Sequence, residues 1–425
     1  MRRKIEQLKT ELYTILSPEH IATLLDADTD MTRKEVEEVL RRLATAGPNR
    51  IASRSERERV VRLTVSEVLG LGVIDMLLAD PSITEIMVNG PDRIYFEREG
   101  KTFLSPESYA SEEQLRTTID RIVSPLGRRI DEQNPMVNGR LVEGHRINVV
   151  IPPISLSGST LTIRKFSERT LSLDEMAAGD SLDSLVATML SWAVTAAKNI
   201  AVSGGTGSGK TTLLNALSLE IPANERIITI EDSAELKFQS HPHVVRLEAR
   251  PANLEGSGAI TMRDLVINSL RMRPDRIVVG EVRGAEALEM LQAMNTGHDG
   301  SLTTLHANTP REVITRLITM VGYGVDQSQS QVESQIAAAL DLIVHVQRCS
   351  DGVRRIVAVV ELDTDENSQI VLREIYTFEQ TGTCEDGKIE GQHIFHVRPA
   401  FMEHLAAQNL ASHEDLAAWK DGAHV

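Results

Sequence analysis

Eight consecutive residues, from Gly204 to Thr211, have the types and the spacing of a phosphate-binding loop. They read Gly-Gly-Thr-Gly-Ser-Gly-Lys-Thr and match the pattern GxxxxGK[ST] at every defined position. Glycines let successive backbone N–H groups turn inward on phosphate oxygens, and a helix that starts directly after the loop adds positive potential. Lys210 would reach the β- and γ-phosphates, and Thr211 would offer its hydroxyl to Mg²⁺. The alternative is a flexible glycine turn. We predict that ATP and Mg²⁺ bind through Gly205, Thr206, Gly207, Ser208, Gly209, Lys210, Thr211 and Thr212.

Carboxylates follow two apolar strands in the same half of the chain. One strand runs from Arg276 through Val279 and leads to Glu281, in the position where many nucleotide hydrolases carry a metal-binding aspartate. The other leads directly into three acids, which are Glu231, Asp232 and Glu235. Carboxylates this close repel one another when ionised, unless a cation, a metal ion or water compensates their negative charge. We predict that they orient and deprotonate the attacking water. The alternative is a structural role at a strand or helix end.

Two histidines flank a further apolar strand. His306 follows Leu305 directly, and we predict that it bonds to a γ-phosphate or to a carboxylate at the same sheet edge. His298 lies before the strand, next to Gly297, and we assign it to nucleotide binding. For each, the alternative is a histidine with only a structural role.

The elements that must position these residues alternate between short apolar strands and capped helices. This alternation predicts an α/β fold with a parallel sheet that is covered on both faces. The predicted strands are Ile200–Val202, Ile227–Ile230, Ile277–Val279, Leu302–Leu305 and Leu342–Val346.

The chain divides by pattern into four regions. Residues 1–60 read as a helical N-terminal appendage with charges of alternating sign, which indicates a solvated bundle and leaves partner docking open. Residues 61–166 show period-two alternation around a helix and form a mixed α/β domain. The polar, acidic stretch 167–181 is the predicted linker, and 182–425 is the predicted catalytic domain.

Composition restricts the class of protein. The formal net charge is −16 and only 3% of the residues are aromatic, which argues against a nucleic-acid-binding face. The two cysteines, Cys349 and Cys384, form no CxxC pair, and a reducing cytoplasmic compartment fits best. We find no secretory signal and no apolar segment long enough to span a bilayer. We therefore expect a cytoplasmic protein whose membrane contact is peripheral.

Four strings together resemble the secretion-ATPase superfamily: SGGTGSGKTTLLNAL from Ser203, IEDSAEL from Ile230, LRMRPDRIVVGEVRGAEALEML from Leu270 and TGHDGSLTTLHANTPRE from Thr296. They are most similar to the CpaF-like branch, the ATPases of tight-adherence (Flp, type IVc) pili. DPSITEIMVNGPDRIYFEREGK from Asp80 and LTIRKF from Leu161 extend the resemblance towards the N-terminus. It covers residues 65–378.

The resemblance implies a RecA-like P-loop NTPase domain at the C-terminus and a smaller, PAS-like mixed α/β domain before it. It implies a homohexameric ring that hydrolyses ATP between the two domains. Glu235 matches the family's catalytic glutamate and Glu281, a predicted Mg²⁺ ligand with Thr211, matches its Walker-B glutamate. Arg140, Arg146 and Arg164 match its nucleotide-facing arginines. For each arginine the alternative is a solvent-facing strand residue.

The implied partner is a pilus platform protein of the inner membrane, on which the ring would act to assemble and possibly retract pili. Contact with the membrane would be made through that partner. Two rival functions stay open. One is the ATPase of a protein-secretion or conjugation apparatus, and the other is a nucleic-acid translocase on the same RecA-like core.

Overall fold

The structure is a computed structural model. It describes residues 1–425 except 28, 47–49, 99, 142, 167–169, 239–240, 251, 253–256, 326, 367–368, 385–386, 406–409 and 412–425. These residues form two compact units, Met1–Ser167 and Glu168–Val425. Within the described part of the chain, none of the helices combines the length and the apolar character that crossing a bilayer requires.

Where the structure describes it, the first unit combines six helices with one sheet. Its helices are α1 (Arg2–Ile15), α2 (Pro18–Ala27), α3 (Thr29–Ala46), α4 (Arg54–Leu69), α5 (Asp75–Ala79) and α6 (Glu112–Val123). Its strands are β1 (Ile83–Asn89), β2 (Ile94–Arg98), β3 (Lys101–Leu104), β4 (Met136–Arg140), β5 (Arg146–Val150) and β6 (Thr160–Arg164). Short 3₁₀ turns follow α4 and α6.

The sheet of the first unit has the order β3-β2-β1-β6-β5-β4, and every neighbouring pair is antiparallel. Its strands alternate buried apolar residues with polar ones, as a sheet with one covered face should. The buried side chains of α1, α3, α4 and α6 join this covered face in one apolar core. The residues predicted as an N-terminal appendage therefore share a core with the mixed α/β domain.

The described residues of the second unit form seven helices and nine strands. Its helices are α7 (Leu173–Ala178), α8 (Ser184–Thr195), α9 (Lys210–Ser218), α10 (Met262–Ser269), α11 (Glu286–Asn295), α12 (Pro310–Gly322) and α13 (Gln329–Ala339). Its strands are β7 (Ile200–Gly204), β8 (Ile227–Glu231), β9 (Val244–Glu248), β10 (Arg276–Val279), β11 (Leu302–Leu305), β12 (Leu342–Arg348), β13 (Arg354–Thr364), β14 (Ile370–Thr383) and β15 (Ile389–Phe395). A 3₁₀ turn at Ala400–His404 follows.

The nine strands form one sheet in the order β15-β14-β13-β12-β7-β11-β10-β8-β9. The six strands from β12 to β9 are parallel. Along β7, Ile200 and Val202 join the core with α7, α8 and α9, whereas Ala201 joins the core with α10 to α13. Successive side chains of a strand point to opposite faces, so helices cover both faces of this sheet.

All five predicted strands are confirmed, at the positions expected for a parallel sheet. The antiparallel strands β13, β14 and β15 were not predicted. They carry many polar residues and are partly exposed, because they extend the sheet beyond its helix-covered centre.

The region predicted as a linker, 167–181, contains helix α7. Ser172 accepts a hydrogen bond from the backbone N–H of Glu175, and the Glu175 carboxylate accepts one from the Ser172 N–H. This capping box starts the helix. Leu173 and Met176 are buried in the core of the second unit. The polar composition of the segment concealed these two anchors, so part of the predicted linker belongs to the second unit.

Candidate active site

The phosphate-binding loop leaves the sheet at the end of β7, between β11 and β12. A Cβ atom at Gly204 would lie 2.2 Å from the carbonyl oxygen of Val346 on the neighbouring strand, so only glycine fits there. Gly207 and Gly209 have φ angles of 70° and 102°, which glycine adopts without strain. Helix α9 then begins at Lys210. The loop therefore has the backbone turn and the helix N-terminus that bind anions, and it contains all eight predicted residues.

Lys210 lies along this loop rather than in solvent. Its Nζ donates hydrogen bonds to the carbonyl oxygens of Gly204 at 3.1 Å and Gly205 at 2.9 Å, and its residue is 8% exposed. Burial lowers the pKa of Lys210, with Glu281 opposing the change and Arg283 adding to it. An ammonium that donates to carbonyl oxygens can exchange them for the more negative oxygens of a phosphate.

Glu231 lies beneath the loop that carries the other two acids. It is 3% exposed, and its Oε2 accepts hydrogen bonds from the backbone N–H groups of Glu235 at 2.5 Å and Leu236 at 2.8 Å. Burial raises the pKa of Glu231, and these two N–H groups oppose that change. Of the three acids predicted to act on water, Glu231 is thus the one whose contacts position the loop.

Glu235 lies beside the first turn of α9. The Thr211 hydroxyl is 3.5 Å from Glu235 Oε2, and the Asn215 side chain of α9 accepts a hydrogen bond at 2.7 Å from the N–H of Lys237. Asp232 points outward: its side chain is 69% exposed and lies 3.9 Å from Arg283. Glu235 is therefore the acid of this loop that the structure brings to the phosphate-binding residues.

Glu281 lies between a cation and a histidine at the end of β10. Its Oε2 accepts from Arg283 Nη2 at 2.5 Å, and its Oε1 lies 2.8 Å from His306 Nε2. His306 Nδ1 in turn lies 3.4 Å from Lys210 Nζ. Burial lowers the pKa of His306, Lys210 lowers it further, and Glu281 opposes both. Neutral His306 thus links the loop lysine to the strand-end acid.

The donor set of this edge fits Mg²⁺. The hydroxyl of Thr211 and the carboxylate of Glu281, the two predicted ligands, are hard oxygen donors. Mg²⁺ keeps most of its waters and takes one or two protein oxygens plus phosphate oxygens, so a complete protein cage is not required.

His298 is not part of this group. It precedes β11, whereas His306 follows the strand, so the two lie at opposite edges of a parallel sheet. Its Nδ1 lies 3.3 Å from the carbonyl oxygen of Ala293 in α11. Contrary to the prediction that His298 binds nucleotide, it therefore does not lie near the phosphate-binding loop of its own chain. The two histidines are separated by a whole strand, and sequence proximity hid this separation.

Arg276, a buried arginine at the same end of the sheet as His298, has a structural role. Arg276 is 1% exposed and forms an ion pair with Glu225, whose Oε2 lies 2.5 Å from its Nε. It also donates to the carbonyl oxygen of Val194 at 2.8 Å. Arg276 therefore stabilises the end of the sheet that lies opposite the phosphate-binding loop.

Sequence reasoning missed a second layer beneath the loop. The Nδ1 of His345 on β12 lies 2.9 Å from the hydroxyl of Ser203, the residue directly before Gly204. His345 is 6% exposed, and burial lowers its pKa. An apolar strand with one histidine gives no signal of this contact. Only the pairing of β12 with β7 reveals it.

In the first unit, the three predicted arginines form one row. Arg140 lies opposite Arg146, Arg146 lies opposite Arg164, and Arg164 lies opposite Glu85. Directly opposed residues of a sheet share a face, and adjacent like charges there are destabilising. The row lies on the face away from the core.

Residues 67–411 match the family described as Type II/IV secretion system protein. A protein of Mycobacterium tuberculosis strain H37Rv that is provisionally named a conjugal transfer protein is 40% identical over 308 residues, which cover 71% of this chain and 87% of that protein. The type IV secretion system protein VirB11 of Bartonella quintana is 33% identical over 325 residues, which cover 67% of this chain and 90% of VirB11.

Among solved structures, the pilus retraction motor PilT with bound ADP matches with a TM-score of 0.52 and 21% identity, over 82% of this chain and 89% of that one. At this identity the likeness concerns the fold alone. It agrees with the predicted α/β, RecA-like P-loop fold.

Proposed function

The chain belongs to the type II/IV secretion system protein family, and on that premise we propose that it hydrolyses ATP at a Mg²⁺ site to drive a membrane-bound machine. One observation carries the proposal. The lysine of the phosphate-binding loop, a histidine and a strand-end carboxylate form a continuous series, with Lys210 3.4 Å from His306 and His306 2.8 Å from Glu281. A glycine-rich turn with only a structural role would have no need of this series.

Each residue of the site has a distinct part in the proposed hydrolysis. The loop N–H groups and Lys210 bind the phosphates, and Thr211 and Glu281 would hold Mg²⁺, which would neutralise phosphate charge. Glu235 accepts a proton from the attacking water. His306 and Arg283 fix the Glu281 carboxylate from two sides, at 2.8 Å and 2.5 Å.

Charge on the transferred phosphoryl group requires further cations. Arginine is suited to this because its planar fork holds two oxygens at once. We assign this part to the arginine row of the first unit, which comprises Arg140, Arg146 and Arg164. The proposed active form is a homohexameric ring.

For the machine itself, we propose assembly of a tight-adherence pilus through a platform protein of the inner membrane, with the ring at the cytoplasmic side. The CpaF-like strings support this choice. A secretion or conjugation apparatus is the second candidate, supported by the names of the two relatives, one of them 40% identical. A net charge of −16 supports neither candidate over the other but disfavours a nucleic-acid translocase.

The change Lys210→Ala tests the hydrolytic site. We expect the purified full-length variant to fold normally and to release phosphate from MgATP at the background rate, because the loop loses its charge on the transferred phosphate. Lys101→Ala, which removes an exposed lysine of β3, is the matched control and should keep wild-type turnover. Wild-type turnover by Lys210→Ala would exclude this loop as the hydrolytic site.

The machine is tested by cross-linking the chain in its native cells and identifying the membrane protein that is recovered with it. Recovery of a pilus platform protein supports the first candidate. Recovery of a conjugation or secretion channel component instead would replace it with the second.

A further inference from the structure

A β-hairpin reaches past the phosphate-binding loop within the second unit. Strand β12 runs parallel to β7 and pairs with it as far as Val346, which lies opposite Gly204. The chain continues to Arg348, turns, and returns along β13 from Arg354. The tip of the β12–β13 hairpin therefore lies at the edge of the sheet from which the loop emerges.

Arg354 contacts the loop directly. Its Nε donates a hydrogen bond of 2.9 Å to the carbonyl oxygen of Gly207. Its side-chain stem lies over Gly209, where a Cβ atom would be 3.1 Å from Arg354 Cδ. The residue is exposed, and its two terminal nitrogens have no hydrogen-bond partner within the described ranges. One side of the guanidinium thus holds the loop while the other is available.

The charges around the tip indicate an anionic ligand. Arg348 and Arg354 lie directly opposite each other, a pairing of like charges that destabilises a sheet. The acid of the tip, Asp351, is already engaged. It pairs with Arg355 at 2.9 Å and accepts hydrogen bonds from the N–H groups of Val353 and Ile389. Neither Arg348 nor Arg354 has an ion pair among the residues that the structure describes.

We propose that Arg354 is a nucleotide-binding residue of the same chain, which holds the phosphate-binding loop at Gly207 and offers its terminal nitrogens to the phosphates. The inference rests on the proposed function of this site. Arg354 contacts the phosphate-binding loop, whereas Glu235 and Glu281, the residues assigned to the chemistry, lie at the ends of other strands. It therefore strengthens binding of ADP and ATP alike and has little effect on the hydrolytic step, since an interaction equal in ground and transition states changes affinity rather than kcat.

The test compares Arg354→Gln, Arg354→Lys and Arg348→Gln in the full chain, with dissociation constants measured for a fluorescent ADP analogue and kcat measured at saturating MgATP. Arg354→Gln should raise the dissociation constant about tenfold, the scale of one hydrogen bond to a charged group, and leave kcat within about twofold. Arg354→Lys keeps the charge and should recover part of the affinity. Arg348→Gln removes the same charge without touching the loop and should change affinity by less than about twofold.

Unchanged affinity in a folded Arg354→Gln protein would overturn the inference, as would an equal loss in Arg348→Gln, which would indicate a general charge effect. Thermal unfolding identifies any variant that misfolds, and Arg354→Lys then decides: near-complete loss of affinity despite the retained charge and a normal fold overturns the charge role. The proposed function fails separately, when the wild-type chain neither binds the analogue nor hydrolyses MgATP.

Discussion

The two sheets of the molecule present opposite charges by different means. In the first unit an antiparallel register aligns Arg140, Arg146 and Arg164 side by side on one face. In the second unit parallel strands end at a common edge and gather Glu235 and Glu281 from separate loops. An antiparallel sheet can repeat one residue type across neighbouring strands, whereas a parallel sheet collects different residues that each follow a strand. The arginines thus come from an antiparallel register, and the acids come from the ends of parallel strands.

Among the tests of this comparison, substitution within the arginine row should have the largest effect on kcat. If the row answers charge on the transferred phosphoryl group, Arg146→Ala should lower kcat about 10³-fold, the lower end for an arginine finger, while the phosphate-binding loop still binds nucleotide. Arg140→Ala should act in the same direction. The measurement is single-turnover hydrolysis at saturating ATP, beside binding of a fluorescent ATP analogue.

Arg93→Ala is the matched control for the row. Arg93 is a half-exposed arginine in the β1–β2 turn, at the end of β1 away from Glu85, and its only neighbouring acid among the described residues is Asp92 at 4.0 Å. It should leave turnover unchanged. If Arg140→Ala and Arg146→Ala also hydrolyse ATP at the wild-type rate, the arginines only decorate a sheet face, and the second unit is catalytically complete.

Sequence reasoning predicted the second sheet better than the first unit's packing, for a physical reason. A strand buried on both faces reads as a short apolar run, and all five such runs became parallel strands. The helices of residues 1–60 carry many surface charges, and their apolar faces reveal nothing about which sheet they cover. Only the tertiary structure shows Leu8 and Leu40 in one core with Ile86.

Within the site, motifs predicted residues that follow strands and missed those that reach in from elsewhere. Lys210, Glu281 and His306 lie where strand ends should bring them. His298 shares a motif with His306 but lies at the other edge, because a strand separates them. His345 approaches the loop from β12 and Arg354 approaches it from β13, and no local spacing indicates that these strands adjoin the loop.

The acids of the second unit give the next test. Glu235→Gln should keep ATP affinity within about threefold and lower kcat about 10²–10³-fold, because the amide preserves shape but cannot accept a proton from water. Steady-state phosphate release and analogue binding together separate the two quantities. Glu281→Gln should also lose turnover, through Mg²⁺ and the position of the water.

Asp232→Asn is the control within the same loop, since the Asp232 side chain is 69% exposed and Glu235 is the acid that lies 3.5 Å from the Thr211 hydroxyl. It should change kcat by less than about twofold. A reversal of the two results, with Asp232 essential and Glu235 dispensable, would mean that the wrong carboxylate has been assigned as the base.

The smallest expected effect concerns His306 and pH. Burial and Lys210 lower the pKa of His306 below its usual 6.5, so the imidazole is neutral at pH 7. As pH falls, the unfolded chain takes up this proton first. Stability therefore begins to decline near pH 6.5 and the loss is complete only below the folded pKa. Hydrolysis by the folded chain should decline only as pH falls through the folded pKa of His306, below 6.5, because an imidazolium 2.8 Å from Glu281 pairs with the carboxylate and competes for it with Mg²⁺.

His306→Gln separates this effect from the titration of other groups. The amide cannot gain a proton, so the variant should lose the acid decline between pH 7 and 5.5, and at pH 7.5 its kcat should fall by less than about tenfold, the scale of one orienting hydrogen bond. His298→Gln should keep the wild-type profile, because His298 lies at the opposite sheet edge. The measurement is kcat at saturating MgATP from pH 5.5 to 8. The opposite result would be an acid decline that persists in His306→Gln and disappears in His298→Gln. It would mean that His298 contributes to the nucleotide site of a neighbouring chain, because in its own chain it lies at the opposite end of the sheet.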